Sequence, residues 1–108
     1  MASEGMEVAV ALFMERPNGD GWAHLVSNLH GEPGRVEMRA FLKVIGVRRP
    51  LHRAHTYAEH CDLRGSEIER ARQAGAGMIS WRELARLLRL KRAAREAGGR
   101  SVFHVSEL

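Results

Sequence analysis

The stretch from Glu59 to Leu88, EHCDLRGSEIERARQAGAGMISWRELARLL, decides the fold of this chain. It predicts a polar strand end, a short helix, a short strand and a longer helix, because glycines and a small apolar segment separate two amphipathic runs. Ser66-x-x-Glu69 and Ser80-x-x-Glu83 each match the capping box, in which a hydroxyl and a carboxylate satisfy backbone amides at a helix start. Helices that alternate with short strands are typical of an α/β domain.

The residues before this stretch add a strand and a helix to the prediction. MEVAVALF at Met6–Phe13 is a nearly continuous apolar run with β-branched residues, which predicts a strand buried on both faces. The turn-rich ERPNGDG at 15–21 separates it from WAHLVSN at 22–28, which we do not count among the strands. Apolar residues at i, i+3, i+4 and i+7 within Glu37–Ile45 predict a helix that ends at Gly46.

Together, these elements predict a small, three-layer-like α/β domain with a short, mainly parallel, three-stranded sheet and three helices. Its second and third strands are expected within Thr56–Leu63 and at Gly77–Ile79. The 108 residues suit a single domain, which we place at 1–97. Residues 98–108 are expected to form a C-terminal tail or an added edge strand, because SVFHVSEL alternates in polarity.

The composition restricts the classes of partner and the cellular location. A formal net charge of +4 favours an acidic partner, above all nucleic acid or a nucleotide, although basic proteins also arise in arginine-rich proteomes. The single cysteine, Cys61, forms no internal disulfide and fits a reducing compartment. Because there is no apolar run of about 18 residues and no basic leader, we expect a cytoplasmic protein without a membrane segment.

Polar side chains follow each predicted strand, and they form the predicted functional site. In an open parallel sheet, ligands bind beyond the carboxyl ends of the strands. The candidate catalytic residues are His24, His60 and Asp62, because histidine titrates near neutral pH and a carboxylate can orient it. Backbone amides at the capped helix starts would suit a phosphate group. The candidate ligand-binding residues are Ser27, Asn28, Ser80, Arg82, Arg86 and Arg89.

Two other interpretations of these residues stay open. His60 and Asp62 could instead hold loops in place through hydrogen bonds. A metal site would draw on His52, His55, His60, Cys61 and Asp62, but their spacing matches no familiar zinc pattern, so we predict no metal ligand. The sequence identifies no cofactor.

The last predicted helix carries a row of arginines. Arg82, Arg86 and Arg89 align at helical spacing, which is typical of a solvated face or of contacts to a phosphate backbone. If 75–80 formed a simple turn, the last two helices would resemble a DNA-binding helix-turn-helix with these arginines in the groove. Met78-Ile79 looks like a strand, however, and argues against that arrangement.

The same helix has two apolar faces. The face that carries Trp81 and Leu84 is expected to pack on the sheet, so Trp81 is predicted to be a core residue. Leu87, Leu90 and Ala94 form the second face, which predicts a homodimer contact or a protein partner.

The segments WAHLVSN, EMRAFLKVIGV, EHCDL and AGAGMISWREL, in this order, resemble a family of small bacterial and phage domains catalogued as domain of unknown function 4031. The resemblance covers about Met6 to Leu88 and implies a fold and a polar cluster, but no particular reaction. The matched polar elements fall on His24, Leu25, Ser27 and Asn28, on Glu59, His60, Cys61 and Asp62, and on Gly75, Ala76, Ile79, Ser80 and Arg82.

This chain departs from the family pattern in its acidic residues. Ala11-Leu12 stand where an acidic pair would follow the first strand, Asn28 stands for an aspartate and Cys61 for a tyrosine. From the grouping of His24, His60, Asp62 and Arg82 after predicted strands, we expect binding of a phosphate-bearing ligand, a nucleotide or nucleic acid, at the C-terminal edge of the sheet. Phosphoesterase-like hydrolysis is an extension of that role against which Ala11-Leu12 argue. The alternatives are a non-catalytic, helix-turn-helix-like DNA-binding module and a phage-type protein-inhibitor module.

Overall fold

A computed structural model describes residues 12–15, 17 and 19–98, and in this part of the chain it forms one four-stranded mixed sheet with three helices. The strand order is β3-β2-β1-β4. β1 pairs antiparallel with β2 and parallel with β4, while β2 pairs antiparallel with β3. The strands are β1 (Leu12–Glu15), β2 (Trp22–Ser27), β3 (Cys61–Arg64) and β4 (Gly77–Ile79), and the helices are α1 (Glu32–Ile45), α2 (Ser66–Gln73) and α3 (Trp81–Glu96).

The α/β class and the three helices are confirmed, but the mainly parallel sheet of three strands is wrong in its detail. The segment 22–28 supplies the additional strand, β2, because Ala23 and Leu25 alternate with the half-exposed Trp22 and His24. Such alternation indicates a strand with one buried and one partly open face. Of the predicted strand Met6–Phe13, residues 6–11 lie outside the described residues, as does most of the predicted tail at 98–108.

The helix boundaries follow local capping chemistry. α1 begins at Glu32, earlier than predicted. Pro33 is tolerated in its first turn, because the backbone amide that proline lacks would have no partner within the helix there. Its predicted end is confirmed, since Gly46 adopts the left-handed conformation (φ 77°) and its amide bonds to the last turn. The capping box at Ser80 and Glu83 is also confirmed. The one predicted at Ser66 is wrong, because Gly65 occupies the cap position.

The sheet separates two hydrophobic clusters. One face packs on α1 and α2 through residues such as Met14, Leu25, Met38 and Leu63. The opposite face packs on α3 through Phe13, Val26, Ile79, Leu84 and Leu87. Because neighbouring residues of a strand point to opposite faces, the apolar pair Phe13 and Met14 in β1 serves both clusters.

α3 corrects two further predictions. Leu87 is fully buried against the sheet rather than left on a free face, while Leu90 and Ala94 are half-buried. Trp81, predicted as a core residue, is 66% exposed: it lies in the first turn of α3, before Leu84 and Leu87, which are the residues that pack in the core.

The alternative helix-turn-helix arrangement is absent from α2 and α3, as the strand-like Met78-Ile79 indicated. β4 intervenes between α2 and α3 and pairs with β1, which places the two helices on opposite faces of the sheet. Within the described ranges, no helix combines the length and apolar character that crossing a membrane requires.

Candidate functional site

His24, His60 and Asp62 meet on the face of the sheet that carries α3, beside the part that α3 covers. The antiparallel register places His24 on β2 directly opposite Asp62 on β3. His60 lies two residues before Asp62 and therefore on the same side of the chain. One ligand atom from each of the three side chains lies within 4.8 Å of the other two. We call these three residues the histidine–aspartate cluster.

The carboxylate of Asp62 is the centre of this cluster. Its Oδ1 lies 3.3 Å from Nε2 of His60 and 3.7 Å from Nε2 of His24. This oxygen is shielded from solvent and accepts no hydrogen bond from any described residue. A buried carboxylate oxygen without a donor is costly, so the position favours a positive charge between the two imidazoles.

Hydrogen bonds at Nδ1, the ring nitrogen that faces away from Asp62, fix the orientation of both histidine rings. Nδ1 of His24 contacts the carboxylate of Glu15, whose other oxygen accepts the amide of His24 at 2.7 Å. Nδ1 of His60 contacts the carbonyl oxygen of Ala58 at 2.8 Å. Because carboxylate and carbonyl oxygens accept, Nδ1 carries the proton in both rings. The Nε2 atoms of both rings therefore face Asp62.

Burial keeps His60 in its neutral form. Desolvation lowers the pKa of His60 below its ordinary value of 6.5, and it outweighs the opposing effects of the Ala58 carbonyl and the Asp62 charge. Neighbouring His24 and His52 lower this pKa further. A histidine that is neutral at physiological pH is in the protonation state that binds a metal ion.

A short edge segment, residues 52–60, closes one side of the cluster. His52 pairs with the main chain of His60 through two hydrogen bonds, stacks on its ring at 5.4 Å and places Nε2 3.4 Å from Oδ2 of Asp62. The buried Glu59 anchors this segment, because its carboxylate accepts from Nε of Arg35 and from the amide of His55, each at 2.9 Å.

A pocket of about 190 Å³ adjoins the cluster. Its wall is formed by apolar side chains of the sheet and α3, with Trp81 at the helix start. The ring of Trp81 lies 6.4 Å from that of His24. The lining residues are His24, Val26, Arg53, Ala58, His60, Trp81, Leu84 and Leu88.

The structure brings together the three candidate catalytic residues but separates them from the candidate ligand-binding residues. Ser27 and Asn28 are buried at the end of the sheet opposite to the carboxyl ends of β1, β3 and β4, because β2 runs in the opposite direction to these strands. The Ser27 hydroxyl accepts from the amide of Leu29, and its carbonyl accepts from Lys91 at 2.7 Å. The prediction of one shared strand-end edge is therefore wrong for these two residues.

The remaining candidates lie along α3. The Ser80 hydroxyl caps the helix by accepting from the amide of Glu83 at 3.0 Å. The exposed Arg82, Arg86 and Arg89 line a separate open cleft of about 310 Å³ with Ser80 and Glu83. These arginines therefore form a solvated surface rather than part of the histidine–aspartate cluster.

Glu15 is a further residue of the site that was not among the predicted candidates; it is 3% exposed and bonded to His24. In the sequence Glu15 begins the turn-rich segment 15–21, and no neighbouring residue indicates that its carboxylate is buried against His24. His52 also lies beside the histidine–aspartate cluster, because its Nε2 contacts Asp62, whereas His55 makes no such contact with Asp62. Cys61 is buried in the core on the other face, and burial raises the pKa of its thiol to about 11, so it stays protonated.

No protein-family model matches this chain, and neither a curated protein nor a solved structure matches it. The resemblance to domain of unknown function 4031 stays a prediction.

Proposed function

We propose that this protein is a metal-dependent, phosphoesterase-like domain that holds one divalent transition-metal ion at His24, His60 and Asp62 and acts on a phosphate-bearing ligand. The observation that supports it is the convergence of two Nε2 atoms and one carboxylate oxygen within 4.8 Å. Two imidazoles and one carboxylate are a recurrent ligand set for divalent transition metals. Three protein ligands also leave coordination positions open for a ligand.

The contacts behind the ligand atoms support the same proposal. Metal-binding histidines commonly donate their other ring N–H to a carboxylate or a backbone carbonyl. Glu15 fills that role for His24, and the carbonyl of Ala58 fills it for His60. Metal-free acid–base catalysis fits less well, because the nitrogen of His60 that would move a proton already faces Asp62.

A divalent ion at such a site supplies Lewis acidity toward a phosphoryl oxygen. The chain itself contributes the remaining features. Glu15 holds the ring of His24 in position, and the edge segment 52–60 shields one side of the cluster. The adjoining pocket, with Arg53 on its wall, offers a place for the ligand next to the ion.

Metal titration tests this proposal directly. Chelator-treated protein is titrated with Zn²⁺, Mn²⁺ and Co²⁺ by calorimetry, and we expect one ion per chain. His60→Ala and Asp62→Asn should each lower the affinity by at least about a hundredfold, because each removes one of three ligands. His55→Asn is the matched control, since this side chain lies outside the cluster and asparagine tolerates its positive φ of 67°.

The pH dependence of binding gives an independent check. Protons compete with the metal for Nε2, so affinity should fall in acid, and the competition at His60 should begin only below the ordinary histidine pKa of 6.5 because burial lowers the pKa of His60. Hydrolysis of bis(p-nitrophenyl) phosphate should require the metal and should be lost in Asp62→Asn. The proposal is overturned if the folded wild-type chain binds none of the ions, or if the two cluster variants bind them as the control does.

A further inference from the structure

We propose that the phosphate-bearing ligand is a single-stranded nucleic acid, whose bases stack on Trp22 and Trp81 on the two sides of the histidine–aspartate cluster. This inference rests on the proposed function for the role of the cluster, but the binding surface itself is formed by other side chains. It starts from the two tryptophans of the chain, since both lie beside the cluster.

Trp81 provides the first stacking position. Its indole is 66% exposed although it stands at the start of a helix whose next turns are buried. The capping box of Ser80 and Glu83 holds that first turn in place. An exposed indole fixed on a rigid element contributes little to the core, but it offers a flat surface to a ligand ring.

The pocket beneath Trp81 has the size and chemistry for one base. Its 190 Å³ is smaller than the roughly 300–1,000 Å³ of pockets that enclose a whole drug-sized ligand, so it suits one group of a larger molecule. Val26, Leu84 and Leu88 supply apolar walls, and Arg53 supplies a positive charge at the rim. A planar base would therefore have apolar contacts and a charge near its phosphate.

Trp22 provides the second stacking position, on the other side of the cluster. Trp22, His24 and Val26 share one face of β2 because they are separated by two residues each. The guanidinium groups of Arg64 and Arg49 lie 4.9 and 5.8 Å from the centroid of the Trp22 ring. Trp22 is half-exposed and both guanidinium groups lie over its ring, so this position joins a partly open aromatic surface to two positive charges that suit the phosphates of a single strand.

The distance between these positions argues for a polymer rather than a mononucleotide. Trp22 and Val26 lie four residues apart on one strand, which corresponds to about 13 Å. His24 lies between Trp22 and Val26 on β2 and pairs with Asp62, so a ligand that reaches both positions passes over these two residues. Bases within a duplex stack on each other and are closed to such contacts, which favours a single strand.

Fluorescence anisotropy of labelled single strands of about 12 nucleotides tests the proposal, with the protein kept in a chelator so that no metal takes part. Trp81→Ala and Trp22→Ala should each weaken binding by about tenfold or more, because stacking on one aromatic ring is lost. Trp81→Phe should retain most of the affinity, and circular dichroism checks that each variant is folded. A duplex of the same sequence and a mononucleotide should bind much more weakly.

The outcomes separate this inference from the metal site. The nucleic-acid proposal is overturned if the wild type binds no single strand, or if both tryptophan-to-alanine variants bind it as tightly as the wild type does. This holds even if the metal titration succeeds. Loss of binding only in a triple variant of Arg82, Arg86 and Arg89 would place the strand on the other cleft and also overturns it. Binding that depends on both tryptophans, in protein that takes up no metal, supports this surface while the proposed hydrolytic role fails.

Discussion

One face of the sheet has two halves with opposite chemistry. Over β1 and β4, α3 covers Phe13 and Ile79 with leucines, and this covered half is part of the core. Over β2 and β3, the same face carries Trp22, His24 and Asp62 and stays partly open. Both halves lie on the same face of one sheet, and their strands have the same alternation of side chains. The difference between them therefore shows that the extent of α3 decides which residues become core and which remain available to a ligand.

β1 and β2 each contribute to both halves. Phe13 lies under α3, and Glu15, two residues later on the same face, holds His24. Val26 packs in the covered half, and His24 lies in the open half. The core and the candidate site are therefore joined through two short strands, and variants on either side can show how independent the halves are.

The largest expected effect is on stability, from the covered half. Leu87→Ala should lower the free energy of unfolding by about 2–5 kcal/mol, because Leu87 is fully buried and its removal leaves a cavity. Urea unfolding of chelator-treated protein measures this loss. Leu90→Ala, at a half-buried position of the same helix, is the matched control and should cost less.

Metal affinity of the folded Leu87→Ala protein should stay close to that of the wild type, because the ligand atoms come from β2, β3 and the edge segment. A parallel collapse of stability and metal affinity would contradict the independence of the two halves.

The next effect belongs to the open half. Glu15→Gln should lower metal affinity by about 10- to 100-fold, because the amide cannot replace the carboxylate that orients His24. Calorimetry against Zn²⁺ measures the change. Glu96→Gln is the control, since Glu96 lies at the exposed end of α3 and pairs with its helix neighbour Arg92. Unchanged affinity in Glu15→Gln would remove Glu15 from the site.

A smaller effect comes from the one buried cation of α3. Lys91 donates to the carbonyl of Ser27, and burial lowers its pKa from 10.5 to about 8, with Glu59 opposing the shift. A lowered pKa in the folded state means that the unfolded chain binds more protons above pH 8, so stability rises with pH there. Between pH 8 and 9 the gain is at most about 1.4 kcal/mol.

Lys91→Met should abolish this rise, as measured by urea unfolding at both pH values. The thiol of Cys61 acts in the opposite direction as the pH approaches and passes 9, because its pKa is raised in the folded state from 9.0 to about 11 and the unfolded chain loses this proton first. Because Lys91→Met keeps Cys61, the difference between the two slopes isolates the contribution of Lys91. Equal slopes for the wild type and Lys91→Met would show that the Lys91 pKa is not lowered.

The sequence predicted the elements with strong local signals. Helical spacing in α1, the glycine after it and the capping box at Ser80 depend on neighbouring residues only, and the structure has all three. The meeting of His24, His60 and Asp62 was expected as well, though at strand ends rather than across a face.

Features that depend on contacts between residues distant in the sequence could not be predicted from local patterns. The direction of β2 depends on its partners, so the buried position of Ser27 and the bond between Glu15 and His24 had no local signal. The exposure of Trp81 depends on where the sheet ends beneath α3, which helical spacing alone does not give.

Cys61 stands between His60 and Asp62 and points into the interior. A slip of β3 by a single residue would turn the imidazole and the carboxylate inward and bring the thiol and Leu63 to the surface. The ligand atoms are therefore assembled in one strand alignment and dispersed in the neighbouring one. Binding of an ion would therefore distinguish chains with the correct register of β3 from compact chains that have the same helices but a shifted strand.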